Sequence, residues 1–119
     1  MKVWLTDLTY TQQTISSDII PAGIGMIAEY LEKEIKSKIT VKLFKYPEDL
    51  IKEIEKEDYP DVFGASNYIW NHSLSSLFCK ILKEKSKKTK IVMGGPNFPT
   101  NEDEQKTFLK NEPWIDYYV

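Results

Sequence analysis

The sequence contains no arginine: all 16 basic residues are lysine, set against 18 acidic residues for a net charge of −2. Arginine is the residue that grips phosphate and guanine through two parallel hydrogen bonds. Its absence, with a slightly acidic balance, argues against a nucleic-acid partner. The one basic cluster, Lys80, Lys83, Lys85, Lys87, Lys88 and Lys90, reads as the solvated end of a helix, where cations also suit the helix dipole. Cysteine is nearly absent too. Cys79 has no partner for an intrachain disulfide, and with a single histidine, His72, the chain has no zinc or iron–sulfur ligand set. No apolar run approaches the ~20 residues of a membrane span, and the first residues alternate instead of forming a signal segment. A cytoplasmic location with no membrane partner is expected. Catalytic constellations are missing as well. His72 has no orienting carboxylate near it in sequence, and it reads as a solvated loop side chain.

What is present suits an ordinary globular domain. The 119 residues are 41% hydrophobic and 29% charged, enough for one domain and not two. A chain of this size buries roughly two-thirds of its unfolded surface. Alternation predicts strands over Lys2 to Leu8, Ile39 to Phe44, Asp61 to Ser66, Lys90 to Met93 and Trp114 to Val119. Between them lie helical patterns. Pro21 sits near the start of the first, and Ile24, Ile27, Ala28, Leu31 and Ile35 form its apolar face. Pro47 opens the second, with Leu50, Ile51 and Ile54 inward. Asn71 or Ser73 caps the third, whose stripe is Leu74, Leu77, Phe78, Ile81 and Leu82. The fourth runs from Asn101, its cap, to Lys110.

Strands separated by helices of this length are parallel, with right-handed crossovers. The expected fold is therefore α/β and flavodoxin-like (Rossmann-like). It is a three-layer sandwich around a five-stranded parallel sheet of order 2-1-3-4-5. Ligands in such sheets sit at the carboxyl ends of the strands, beside the switch point between strands one and three. Three loops converge there, over Thr9–Ile20, Asn67–Ser73 and Gly94–Thr100. In Ile91-Val92-Met93-Gly94-Gly95-Pro96-Asn97-Phe98-Pro99 a buried strand ends in two glycines. Such glycines permit either a positive φ or the close approach of another group. Tyr68, Trp70, Asn71 and Phe98 crowd the same edge, a composition suited to a large, flat, partly polar ligand.

Several chemistries known for this fold fail on the residues. A phosphoreceiver needs an acidic pair after strand one and an aspartate ending strand three. Here Asp7 stands alone and strand three ends in Ser66-Asn67. Thr9-Tyr10-Thr11-Gln12-Gln13-Thr14 approaches the phosphate loop of an FMN-binding flavodoxin, but Gln12 stands where a glycine should wrap the phosphate. Gly23-x-Gly25 lies within a helix and lacks the third glycine of a dinucleotide site.

Five segments in order resemble another family. Pro21-x-Gly23 followed by Ile27-Ala28-x-x-Leu31, Tyr59 to Ser66, Tyr68-Ile69-Trp70-Asn71, Ile91 to Pro96 and Trp114 to Val119 are similar to the cobalamin-binding domain at the N-terminus of radical S-adenosylmethionine proteins. The resemblance covers nearly the whole chain. It implies one cobalamin-binding domain over residues 1–119, the N-terminal part of a longer protein. In that reading Thr9, Tyr10, Pro21, Gly23, Ser66, Asn67, Tyr68, Trp70, Asn71, Gly94, Gly95, Pro96, Asn97 and Phe98 contact the cofactor. The corrin would lie over strands one, three and four, with the nucleotide tail between the sheet and the first or third helix. Members that use a histidine as lower ligand carry Asp-x-His-x-x-Gly after strand one. Here Asp7-Leu8-Thr9 has no histidine, so binding would proceed without it. The resemblance also implies a C-terminal partner domain in the same chain holding S-adenosylmethionine and a 4Fe-4S cluster, because its Cys-x-x-x-Cys-x-x-Cys set is not within these residues. The competing expectation is a cofactor-free Rossmann-like module that packs on a catalytic domain or partner protein.

Overall fold

The computed structural model describes residues 1–11, 19–35 and 37–119. Segment 12–18 lies outside the described residues, and with it most of the first polar loop, including Gln12, Gln13 and Thr14 of the FMN comparison. Among the described residues the order is β1 (Lys2–Thr6), α1 (Ala22–Glu34), β2 (Thr40–Phe44), α2 (Pro47–Ile54), β3 (Val62–Ser66), α3 (His72–Lys85), β4 (Lys90–Gly94), α4 (Glu102–Asn111) and β5 (Tyr117–Tyr118). The strands form one parallel sheet of order β2-β1-β3-β4-β5. This is the expected flavodoxin-like topology. Two strands are shorter than their sequence patterns: β1 stops at Thr6 and the edge strand β5 keeps two residues.

The two faces of the sheet are covered unequally. Side chains alternate along each strand, so Trp4, Phe63, Ile91 and Met93 point to one side. There they pack with Leu50 and Ile54 of α2, Phe78, Cys79 and Leu82 of α3, and the partly buried Phe108 of α4. The opposite face presents Val3 and Leu5 to Ile24 and Ala28 of α1, with Leu31, Val41 and Val62 around them. A single helix covers this second face among the described residues.

Three positions expected to be buried are exposed. Leu77 is 51% exposed, Ile51 45% and Ile27 50%. On α3 the buried face comprises Ser75, Ser76, Phe78, Cys79 and Leu82. Burial pushes the Cys79 thiol pKa up, and nearby Glu112 adds to the effect. The thiol is an inert core group.

Caps and edge anchors are explicit. The Asn101 side chain accepts from the Asp103 N–H at 2.9 Å and the Glu104 N–H at 3.4 Å, as the sequence predicts for α4. Asn71 precedes α3, but its side chain does not cap the helix. The short β5 is tied down by Asp116, which accepts from the Ile91 N–H at 2.8 Å and the Lys83 ammonium at 2.6 Å. Partial burial pushes the Asp116 carboxyl up. The Ile91 N–H, Lys83 and Lys90 together outweigh that, so its pKa lies below the usual aspartate value. Two lysines of the basic cluster thus serve an edge strand.

A depressed carboxyl pKa gives stability that is complete above the unfolded value, about 3.9, and is lost as pH falls through the folded value. Asp116→Asn should therefore lower the urea midpoint more at pH 6 than near pH 3. Equal losses at both pH values would remove this role from Asp116. Gly95 carries φ +130°, and a Cβ there would meet the Asn67 carbonyl oxygen at 2.6 Å. Gly95→Val should cost about 2–4 kcal/mol in urea unfolding, whether or not a ligand is present.

Candidate functional site

The face covered by α1 alone holds a cavity of about 540 Å³, within the range of small-molecule sites. One wall is helix α1, through Gly23, Ile24, Ile27 and Leu31. The other is the sheet, through Val3, Leu5, Val62, Gly64, Val92 and Gly94, with Met1 at one end. Asp7, Ser66, Tyr68 and Gly95 stand at the other end, at the carboxyl edge of β1, β3 and β4. The walls are apolar and the polar groups gather at that mouth.

Glycine makes the room. A Cβ on Gly23 would meet nothing within 4 Å, so the helix leaves empty space opposite the sheet. Gly64 faces the same space from β3, where an added Cβ would collide with the flexible end of Leu5 at 2.7 Å. The period-2 alternation that sends Phe63, Ala65, Ile91 and Met93 into the larger core sends Gly64, Gly94 and the valines here. The opposite face, under α3, is filled by side chains. Of the two expected slots for a ligand tail, the one beside α1 is open among the described residues.

Two buried asparagines hold the loops at the mouth. Asn67 uses its whole amide inside the protein. Its Nδ2 donates to the Asn97 carbonyl and the Tyr118 hydroxyl, both at 2.9 Å. Its Oδ1 accepts from Asn97 Nδ2 at 3.2 Å and lies 3.0 Å from His72 Nδ1. Its backbone N–H donates to the Gly94 carbonyl at 2.6 Å. Asn71 accepts from the Tyr68 N–H at 2.8 Å, and its Nδ2 donates to the Leu8 carbonyl and Ser66 Oγ at 3.3 and 3.2 Å. Ser66 Oγ in turn donates to Asp7 Oδ1 at 2.6 Å. These bonds join the Asn67–Ser73 and Gly94–Thr100 loops to each other and to Asp7 and Leu8, the residues that follow β1.

The structure sorts the residues expected from sequence. Gly23, Ser66, Tyr68, Gly94 and Gly95 line the cavity. Asn67 and Asn71 are buried supports behind the mouth, and Asn97 bonds to Asn67. Phe98 turns away, stacking on Tyr118 at 3.9 Å and meeting Phe108 edge-on at 5.3 Å. Trp70 stacks on Tyr68 at 4.6 Å with its rings nearly parallel, and it is 62% exposed. Thr9 is buried, with its N–H donating to the Lys45 carbonyl, and Pro21 precedes α1 with its carbonyl accepting from Gly25. Thr9, Tyr10, Pro21 and Pro96 stand outside the cavity lining. Sequence reasoning missed Asp7, Gly64 and the apolar wall. Their signal was the period-2 alternation, which places Asp7, Leu5 and Val3 on one face.

His72 also has a carboxylate, one that the sequence hides. Glu112 Oε1, at the end of α4, lies 3.4 Å from His72 Nε2, and Ser76 Oγ donates to the other Glu112 oxygen. This group lies with α3 and α4, away from the cavity, and serves to hold the Asn67 amide.

Comparison with known proteins adds to this geometry. The model of the B12 binding domain family matches residues 11–118. The chain belongs to the B12 binding domain family. This B12-binding-family domain is also similar to the cobalamin-dependent radical SAM methyltransferase TokK of Streptomyces tokunonensis. The two are 26% identical over 101 residues, which are 82% of this chain and 14% of that protein. The domain thus spans a minor part of the relative's length.

A Cβ at Gly23 meets nothing within 4 Å, so a larger side chain there would start into the cavity without a backbone clash. Gly→non-Gly exchange in a helix is itself stabilising by up to about 1 kcal/mol. Gly23→Leu should leave thermal stability unchanged or raised, and should weaken corrinoid binding at least about tenfold by equilibrium titration. Undiminished binding in that variant would place the ligand elsewhere.

Proposed function

We propose that this domain binds cobalamin, with the nucleotide tail in the cavity beneath α1 and the corrin over the mouth at the ends of β1, β3 and β4. The observation that carries this reading is the apolar slot cleared by Gly23 and Gly64, opening onto a polar rim. Ser66 and Tyr68 would meet the macrocycle at the rim, with Trp70 extending the aromatic surface beyond Tyr68. Asn67, Asn71 and Asn97 act through the loops they position. Gly95 lets the β4 turn pass close to Asn67, and Gly94 leaves room beside Val119, so the rim would stay low enough for a flat ligand. Thr9, Tyr10, Pro21 and Pro96 form the surroundings of the mouth.

Binding would proceed without a histidine on the cobalt. Thr9 occupies the motif position where relatives with such a ligand carry histidine, and His72 is engaged with Asn67 and Glu112. When bound, cobalamin supplies an organometallic cobalt centre able to carry a methyl group. The domain would deliver that centre to a radical S-adenosylmethionine domain holding S-adenosylmethionine and a 4Fe-4S cluster, in keeping with the similarity to a cobalamin-dependent radical SAM methyltransferase. A cytoplasmic setting belongs to the same reading, and the free buried thiol of Cys79 suits it. No helix among the described residues is long and apolar enough to cross a membrane.

A second reading, a cofactor-free unit packing on a catalytic domain or partner, is favoured by exposed Ile69 and Trp70 beside the mouth. Titration with hydroxocobalamin, followed by visible absorbance and co-elution, separates the two. A saturable spectral change supports cobalamin. No change at high micromolar concentration selects the second reading. For the cobalt(II) form, the electron paramagnetic resonance spectrum should show no nitrogen coupling from the protein, and His72→Ala should leave it unchanged. A nitrogen coupling lost in His72→Ala would overturn the histidine-free assignment.

A further inference from the structure

Asp7 is the one charged side chain lining the cavity among the described residues. It follows the last residue of β1, in register with Val3 and Leu5, so its carboxylate stands where the apolar slot meets the mouth. Its position is fixed. Ser66 Oγ donates to Oδ1 at 2.6 Å, and Asn71 Nδ2 approaches the same oxygen at 3.4 Å. Both bonds fall on Oδ1, so Oδ2 makes no hydrogen bond among the described residues. Nor does any lysine there pair with Asp7. A carboxylate held this way, with one oxygen unbonded and no counter-ion among the described residues, accepts hydrogen bonds and repels anions.

We propose that Asp7 is a specificity residue. Its free oxygen accepts an N–H from a neutral primary amide on the periphery of the corrinoid, and it rejects the corresponding carboxylate. This rests on the cobalamin reading and deepens it. The discrimination has two parts. An amide gains a charge-assisted hydrogen bond, whereas a carboxylate at the same place brings two negative charges together beside an apolar wall. A site built to hydrogen-bond one group discriminates strongly against an analogue that leaves its polar atoms mismatched. Ser66 sets the direction of the free oxygen and is a positioning residue for Asp7.

The test compares cobalamin with its singly hydrolysed side-chain carboxylic acids, in equilibrium titrations with the intact domain near neutral pH. At least one of these acids should bind the wild type about tenfold or more weakly than cobalamin. Asp7→Asn, which can donate to a carboxylate, should abolish or reverse that preference. Ser66→Ala should reduce it while keeping the Asp7 side chain in place of an amide. Thermal melts identify any variant that loses the fold, and in that case the Ser66→Ala comparison decides. Cobalamin and every acid binding the wild type alike would overturn the role of Asp7 and leave the cobalamin reading standing. A preference that survives in folded Asp7→Asn would do the same. Failure of cobalamin and of all the acids to bind the wild type would overturn both readings.

Discussion

The mouth of the sheet depends on one buried amide. Asn67 is wholly enclosed, and a buried amide left unpaired costs about 1–3 kcal/mol per group. Every polar atom of its side chain is instead matched, by Asn97, Tyr118 and His72. Those partners come from the β4 loop, β5 and α3, so satisfying one side chain fixes three separate segments. Burial pushes the Tyr118 phenol pKa up, and the bond from Asn67 works against it. The hydroxyl stays neutral and passes its own hydrogen to the Gly95 carbonyl at 2.9 Å. The φ of Gly95 follows from the same constraint, because the chain must run against the backbone of Asn67.

On this frame the two sheet faces diverge in purpose. One is a filled core in which Trp4, Phe63, Leu82 and Met93 are fully enclosed. The other carries glycine where the first carries bulk, and the space beneath α1 results. The separation comes from strand alternation, which lets a single strand such as β3 present Phe63 to one layer and Gly64 to the other. Asp7 follows β1 on the corresponding face and is the one charged side chain lining the slot among the described residues.

The topology was legible because apolar spacing alternates cleanly between periods of two and about four, and because helical crossovers leave few parallel arrangements. The convergence of the loops followed from strand order alone. Individual roles were harder to read. Asn67, Asn97 and Phe98 resemble ligand contacts in composition, yet they are engaged inside, since composition does not reveal the direction of a side chain. The partnership of His72 with Glu112 spans 40 positions of chain and exists only once α4 has docked on α3. Gly95 illustrates the same limit. Its sequence context suits close approach by a ligand, while the atom it makes room for is the backbone oxygen of Asn67.

The one-helix cover over the second sheet face has a thermodynamic meaning. Apolar walls around an open slot lose dispersion contacts and keep hydrocarbon in water, a cost that the folded state carries until something fills the gap. Any occupant of the slot therefore acts as hydrophobic core, and its binding is coupled to the folding equilibrium by mass action. At a hundredfold excess over its dissociation constant, such an occupant adds about 2.7 kcal/mol to the stability of the domain, a substantial share of what holds a chain of this length folded.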